Sequence, residues 1–270
     1  MKWEGHQAIT RAVARTLPLS EQDRDALVDA VTEPDETRGE YESHHTGKTQ
    51  ETLDYLVHAR AHHLRGEPDA AVAALAYALH YVQDGCFPPS GSLEHNSIEK
   101  AATGSEVTYH VRNHMPTDPP ITYQGVAEMV HGLGPQANAP DAVHAAVEAS
   151  FALARAVFGP SQAPPGLLER ARKEVRRQYT RWLPASLLAG TGLGLLASLA
   201  LKLSLPLAIG LSLGAMVIVL LSHRSYYVML GELKWFQPVS EGKQAARSND
   251  PNARSTGSPQ DDDADEVVPF

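Results

Sequence analysis

The sequence predicts an all-α protein, and three observations support this prediction. Apolar residues recur with helical spacing through residues 1–182, whereas the alternation typical of half-buried strands is nearly absent. Proline and glycine separate these periodic segments at intervals that suit helices. Two long apolar runs after residue 182 suit membrane-crossing helices. We therefore expect a multi-helix bundle followed by a C-terminal transmembrane helical hairpin.

The first helix boundaries are marked by proline and by a capping residue. The spacing of apolar residues predicts a helix over His6–Leu17, which ends near Pro18. Ser20 is a candidate N-cap for the next helix, Glu21–Thr32. The segment from Asp35 to Gly47 is rich in charge and in glycine, so we expect a loop there.

The strongest helical pattern lies over Asp69–Asp84, directly after Pro68. Its expected core stripe consists of Val72, Leu75, Ala76, Leu79 and Val82. The other expected helices are Thr49–Arg65, Leu93–Ala102, Tyr123–Gly132, Asp141–Phe158 and Pro165–Trp182.

Charge and cysteine content narrow the classes of partner. The chain has 23 Lys+Arg and 32 Asp+Glu, a net charge of −9. Residues 1–160 contain 11 basic and 22 acidic residues, a net −11. A nucleic-acid binder usually carries the opposite sign, so we expect no stable nucleic-acid partner. Cys86 is the single cysteine, which excludes an intrachain disulfide framework.

The apolar runs are Leu183–Leu201 and Leu205–Leu221, each near the minimum length that crosses a bilayer. Lys202–Ser204 and Pro206 separate them as a tight turn, and Gly210-Leu211-Ser212-Leu213-Gly214 is a G-x-x-x-G motif that permits close helix packing. The alternative is a buried helical hairpin in a soluble core. Such runs with a single charge are rare there, so we favour the membrane.

Basic residues flank the hairpin and predict its orientation. Those before the first run are Arg170, Arg172, Lys173, Arg176, Arg177 and Arg181. His223 and Arg224 follow the second run, whereas the turn between the runs holds only Lys202. The positive-inside rule places both termini and the helical domain on the cytoplasmic side of a two-helix, multi-pass protein. Candidate interfacial anchors are Trp182, Tyr226, Tyr227 and Trp235.

The chain therefore divides into four regions. Residues 1–182 form a helical domain, and residues 183–222 form the hairpin. Residues 223–238 are a juxtamembrane segment. Residues 239–270 are polar and end in an acidic run, so disorder is expected there.

Histidine–carboxylate pairs on the helices indicate metal binding. Of 13 histidines, 12 precede residue 145. His80 and Asp84 are four residues apart on the strongest helix, so both side chains leave the same face, and His95 and Glu99 repeat this spacing. One such pair arises often by chance. Two pairs within 20 residues favour a site for divalent ions.

The order of these motifs resembles that of zinc-dependent phospholipase C and, more distantly, that of the fungal single-strand nucleases with the same fold. The matching segments are Trp3-Glu4-Gly5-His6, Pro34-Asp35, Ser43-His44-His45, Leu79–Asp84 and His95–Glu99. The likeness covers roughly residues 3–182. It implies an all-helical fold that holds zinc ions in a cleft, three in the family.

The resemblance also implies how the ligands group. The first implied zinc site consists of Asp35, His44 or His45, His80 and Asp84. The second consists of His6, the shared Asp84 and the Trp3 carbonyl. The third consists of His95 and Glu99. His44 is preferred over His45 because it directly follows Ser43, as in the family pattern.

Two departures from the family leave the number of zinc ions at two or three. Trp3 follows Met1-Lys2, so it has no free amine and only its carbonyl remains. Ser90 stands where the family has another histidine, and His110 or His114 is a candidate replacement. Cys86 is a further candidate, although a buried thiol is the favoured interpretation.

The expected activity is hydrolysis of an anionic phosphodiester by a metal-bound water, with Asp35 implied as the catalytic base. The flanking hairpin favours phospholipid headgroups as the substrate and a phospholipid membrane as the partner. The alternatives are a nuclease or nucleotide phosphodiesterase of the same fold, and an inactive metal-binding membrane scaffold.

Overall fold

Helices form nearly all of the described protein. The computed structural model describes residues 3–38, 48–89, 92–102, 104–113, 118–182 and 224–237, with short groups between 184 and 213. The helices of these main ranges are α1 (Trp3–Ala14), α2 (Glu21–Ala30), α3 (Glu33–Arg38), α4 (Thr49–Leu64), α5 (Pro68–Gly85), α6 (Leu93–Ala101), α7 (Gly104–Asn113), α8 (Tyr123–Gly132), α9 (Ala139–Val157), α10 (Leu167–Arg177) with a π-helical turn (Gln178–Trp182), and α11 (Arg224–Phe236). The described residues include no β-strand, so the all-α prediction is confirmed.

Local sequence signals account for several helix starts. The Ser20 hydroxyl accepts a hydrogen bond from the Asp23 N–H at 3.1 Å, which confirms the expected cap of α2. Thr122 and Asn138 cap α8 and α9 in the same way. Pro68 occupies the first turn of α5, where a missing N–H costs nothing.

Three helices were not expected from the sequence: α3, α7 and α11. Glu33–Arg38 forms α3, so the loop predicted from Asp35 is wrong for these residues. Proline usually ends a helix, but it is tolerated in the first turn, where Pro34 lies. The Glu33 carboxylate is stabilised by the positive end of the helix. α7 has glycine and serine at its start and lies against α1 and α9, so packing rather than propensity explains it. Residues 39–47 lie outside the described part.

α5 is the central helix, and it packs against α4, α9, α2, α1 and α3. The five residues of its expected stripe are all buried: Val72, Leu75, Ala76, Leu79 and Val82. His80, Gln83 and Asp84 at its C-terminal end are buried as well. The core therefore encloses polar groups, which need partners there.

α11 packs against α4, α8 and α10, so it belongs to the helical body. Gly231 allows this approach, because a Cβ atom at that position would overlap the Tyr123 ring. Trp235 is fully buried, and its indole N–H donates to the Ile121 carbonyl at 3.2 Å. The expectation that Trp235 is a membrane-surface anchor is therefore wrong.

Arg60 connects α11 to the end of α9. Its fully buried guanidinium donates to the carbonyls of Val157 and Gly159, both at 2.7 Å, and to that of Pro160. It also donates to the Trp235 carbonyl at 3.4 Å and lies 5.6 Å from the centre of the indole ring. Burial lowers the pKa of Arg60 to about 10. The carbonyls at a helix C-terminus offset the burial of this charge.

Glu232 connects α11 to the start of α8. Its buried carboxylate accepts hydrogen bonds from the N–H groups of Tyr123 at 3.0 Å and Gln124 at 2.8 Å. These donors lie at the positive end of α8, where a negative charge is stabilising. α11 is thus held at two points along its length.

The two flanks of the apolar stretch lie side by side. α10 and its π-helical turn pack along α11, and the hydroxyl oxygens of Tyr179 and Tyr226 are 3.1 Å apart. The described residues on either side of residues 183–223 are therefore close together. Among the residues that the structure describes, no helix has both the length and the apolar character to cross a membrane.

Candidate metal centre

The structure brings together four of the residues that the sequence singled out. His80 and Asp84 come from α5, His6 from α1 and Asp35 from α3. The Nε2 atom of His6 lies 3.2 Å from Oδ1 of Asp84, and that of His80 lies 3.1 Å from Oδ2. His80 Nε2 is also 3.4 Å from Oδ1 of Asp35. Asp84 thus presents one oxygen to each imidazole.

Each imidazole is oriented through its other nitrogen. His6 Nδ1 is 2.7 Å from Oε1 of Gln83, and His80 Nδ1 is 3.0 Å from the Val31 carbonyl oxygen. The Gln83 amide is itself oriented, because its Nε2 donates to the hydroxyls of Thr10 and Ser150, both at 3.3 Å. Carbonyl oxygens only accept, so Nδ1 carries the proton in both histidines. Both Nε2 atoms then point a lone pair at Asp84.

This arrangement requires a cation. Neither Nε2 atom has a hydrogen-bond partner in the described structure, although both are buried. Two lone pairs and two carboxylates that face one another repel unless a proton or a metal ion lies between them. Single ligand atoms of His6, Asp35 and His80 all lie within 4.8 Å of one another. Imidazole nitrogen and carboxylate oxygen are common zinc ligands, so the donor set fits the expected metal.

Without a metal, the cluster holds its proton on His80. Burial lowers the pKa of His6. Burial acts in the same direction on His80, but the carboxylates of Asp35 and Asp84 outweigh it and raise the pKa of His80 to about 9. Burial opposes ionisation of Asp35, yet the neighbouring imidazole of His80 leaves the pKa of Asp35 below the usual value. A divalent ion would replace this proton and satisfy the same groups.

Asp35 is the only one of the four cluster residues with an appreciably exposed side chain. The side chains of His6, His80 and Asp84 are at most 1% exposed, whereas that of Asp35 is 19% exposed. A substrate that approaches from solvent would therefore meet Asp35 first. This location suits the role of catalytic base that the resemblance implies.

The remaining expected ligands stay predictions. Trp3 is the first residue of α1, and its expected contribution, a backbone carbonyl, stays a prediction. His95 and Glu99 lie on α6, but their side chains lie outside the described part. His44, His45, Ser90 and His114 also lie outside it.

Two further candidates have other neighbours. His110 lies 3.8 Å from a carboxylate oxygen of Glu106 and beside the ring of His144. The Cys86 thiol donates to the Val82 carbonyl, and burial raises the pKa of Cys86 to about 12. A thiol with so high a pKa is a poor metal ligand, which supports the structural interpretation of Cys86.

Gln83 is a functional residue that sequence reasoning missed. We expect Gln83→Leu to weaken zinc binding about 10- to 100-fold, because His6 would lose the acceptor that fixes its tautomer and orientation. Competition with a chromophoric chelator measures this change. Gln50→Leu, which changes an exposed glutamine on α4 that donates to Asp54, is the control. Equal affinities for the two variants would contradict the role of Gln83.

Comparisons with known proteins leave the family of this chain open. No protein-family model matches the chain, and neither a curated protein nor a solved structure is significantly similar to it.

Proposed function

We propose that this protein is a membrane-anchored, zinc-dependent phosphodiesterase that hydrolyses phospholipid headgroups. One observation carries the proposal: two buried imidazoles, each held through Nδ1, direct Nε2 lone pairs at Asp84. A cluster that shared only a proton between its two histidines would not need both Nε2 lone pairs to be oriented towards Asp84. The motif order that resembles zinc-dependent phospholipase C supplies the reaction class.

The chain's own residues have separable roles in this proposal. Zinc held here would lower the pKa of a bound water towards 7 and offset the charge of the phosphodiester. His6, His80 and Asp84 are buried and would hold the ion rigidly, while Gln83 and the Val31 carbonyl orient the two rings. Asp35 is the most exposed of the four and would orient the attacking water or accept its proton.

A lipid substrate is favoured by the apolar stretch. Within residues 183–223, five described apolar side chains are at least half exposed: Leu188, Leu196, Leu207, Ile209 and Leu213. Such exposure is unfavourable in water but favourable in lipid. The adjacent flanks of the stretch suit a two-helix hairpin whose helical body lies on the cytoplasmic side. The acidic body disfavours a nucleic-acid substrate.

The test is to purify the full chain in detergent and measure its metal content together with hydrolysis of a phospholipid panel. We expect two or three zinc ions per chain and release of phosphorylated headgroup. His80→Ala and Asp84→Ala should lose metal and reduce release to background, whereas His58→Ala, which changes an exposed histidine on α4, should leave both unchanged.

Other outcomes select the alternatives. Zinc without turnover of lipid would contradict a phospholipase. Turnover of nucleotide or single-stranded DNA would then indicate the nuclease function, and no turnover of any substrate would indicate the scaffold. A purified chain without metal would overturn the metal-dependent proposal as a whole.

A further inference from the structure

The helix that leads into the apolar stretch presents a concentrated positive charge. Residues 167–182 contain six basic and two acidic residues, a net +4, in a chain whose net charge is −9. All six basic side chains are exposed: Arg170, Arg172, Lys173, Arg176, Arg177 and Arg181. We call this surface the basic face.

The basic face is turned outward by the packing of α10. Leu167, Ala171 and Gln178 are buried, and the helix lies along α11 on that side. α11 is itself fixed in the body by Glu232 and Trp235. The basic side chains therefore cannot turn inward without unpacking the helix.

Charges within the basic face repel one another. Arg172 and Arg176, and likewise Lys173 and Arg177, are four residues apart, a spacing at which like charges destabilise a helix. The acid that pairs here is Glu174, whose carboxylate lies 3.5 Å from Arg177. Such an arrangement favours an anionic partner outside the chain, which would relieve this repulsion.

We propose that the basic face binds the headgroups of anionic phospholipids. This inference rests on the proposed hairpin, because the π-helical turn ends at Trp182, directly before the first apolar run. The cations would then lie at the level of the headgroups, where each contributes roughly 1 kcal/mol to binding of an anionic surface. A nucleic acid would instead have to approach a body whose first 160 residues carry a net −11, which disfavours that partner.

The test uses the full chain in nanodiscs of phosphatidylcholine with 20% phosphatidylserine, and it measures energy transfer from the native tryptophans to a small fraction of dansyl-labelled lipid. We expect dansyl-phosphatidylserine to be enriched around the protein about fivefold over dansyl-phosphatidylcholine, the factor that corresponds to one fully engaged cation. In 1 M salt, where the Debye length falls to about 3 Å, the preference should disappear.

A triple substitution tests the basic face directly. Arg170→Gln, Arg172→Gln and Arg176→Gln together remove half of the charge of the basic face and should lower the preference for the anionic lipid. Arg11→Gln, Arg15→Gln and Lys100→Gln remove the same charge from exposed positions on α1, directly after α1 and on α6, and should preserve the preference. Equal transfer to both lipids in the natural chain, or the same loss in both triple variants, would overturn the proposal.

The same measurement separates this inference from the hairpin proposal. Transfer to neither lipid would contradict membrane insertion and, with it, the lipid role of the basic face. Transfer without anionic preference would contradict the basic face alone. A labelled oligonucleotide that binds the nanodisc-held chain through the basic face, without lipid preference, would replace the lipid by a nucleic acid.

Discussion

A chain that ends at Trp182 is expected not to fold stably, whereas a chain in which a flexible linker of about ten residues replaces residues 183–223 is expected to fold. The shortened chain lacks α11, which packs into the body, and the linked chain retains it. The hydroxyls of Tyr179 and Tyr226 are 3.1 Å apart, so a linker can join the flanks without strain.

The size of this effect follows from three losses. Removing the buried indole of Trp235 should cost about 3–5 kcal/mol. Arg60 would lose one of its carbonyl acceptors and the ring beside its guanidinium while it stays buried. The start of α8 would lose Glu232, a cap worth about 1 kcal/mol. The sum is comparable with the total stability of a typical domain, about 5–15 kcal/mol.

Urea unfolding followed by circular dichroism compares the two chains. The linked chain should show a cooperative transition and bind zinc, and the chain that ends at Trp182 should show neither property. The linked chain with Trp235→Ala retains α11 without its buried indole. It should unfold at a urea concentration between those of the other two chains. Equal midpoints for the shortened and linked chains would show that α11 contributes nothing to the body.

The metal-free protein is expected to become less stable as the pH rises from about 6.5 to about 9. In the metal-free cluster the folded-state pKa of His80 is raised above its unfolded value. The contribution of His80 to the free energy of unfolding is therefore fully present below pH 6.5 and is lost as the pH rises through about 9. His6 has a lowered pKa, so it adds slope of the opposite sign only until the unfolded imidazole is also neutral, above about pH 7.5. The change amounts to about 3 kcal/mol at most.

The zinc-loaded protein should behave differently, because the metal replaces the proton on His80 and binds better as protons are removed. Thermal unfolding at a series of pH values, with zinc and with a chelator, checks this. The Asp35→Asn variant should reduce the slope of the metal-free protein, since one of the two carboxylates that raise the pKa is lost. Identical pH profiles with and without zinc would mean that the cluster holds a proton rather than a metal.

The sequence could predict the four residues of the metal cluster but not the hydrogen-bond partners that orient the two imidazoles. His80 and Asp84 lie one helical turn apart, so their common face is visible in the spacing. His6 and Asp35 are distant in sequence, and only the order of motifs placed them in the same site. The Gln83 amide and the Val31 carbonyl could not be assigned, because a hydrogen-bond partner of that kind is determined by tertiary packing.

The errors have a common physical origin. Trp235 follows a long apolar run, which is typical of a residue at the membrane surface, yet it fills the body's core. Pro34 reads as the end of a helix, although it lies in the first turn of α3. In both cases a local signal fits two environments, and contacts made by distant parts of the chain decide between them.

The return of α11 to the body also sets an order of events during synthesis. The ribosome makes the chain from its N-terminus, so the apolar stretch emerges before residues 224–236. Until then Arg60 lacks the Trp235 carbonyl and α8 lacks its Glu232 cap. The nascent body is consequently incomplete when the apolar stretch leaves the ribosome. In the proposed membrane protein, insertion of that stretch would precede closure of the core.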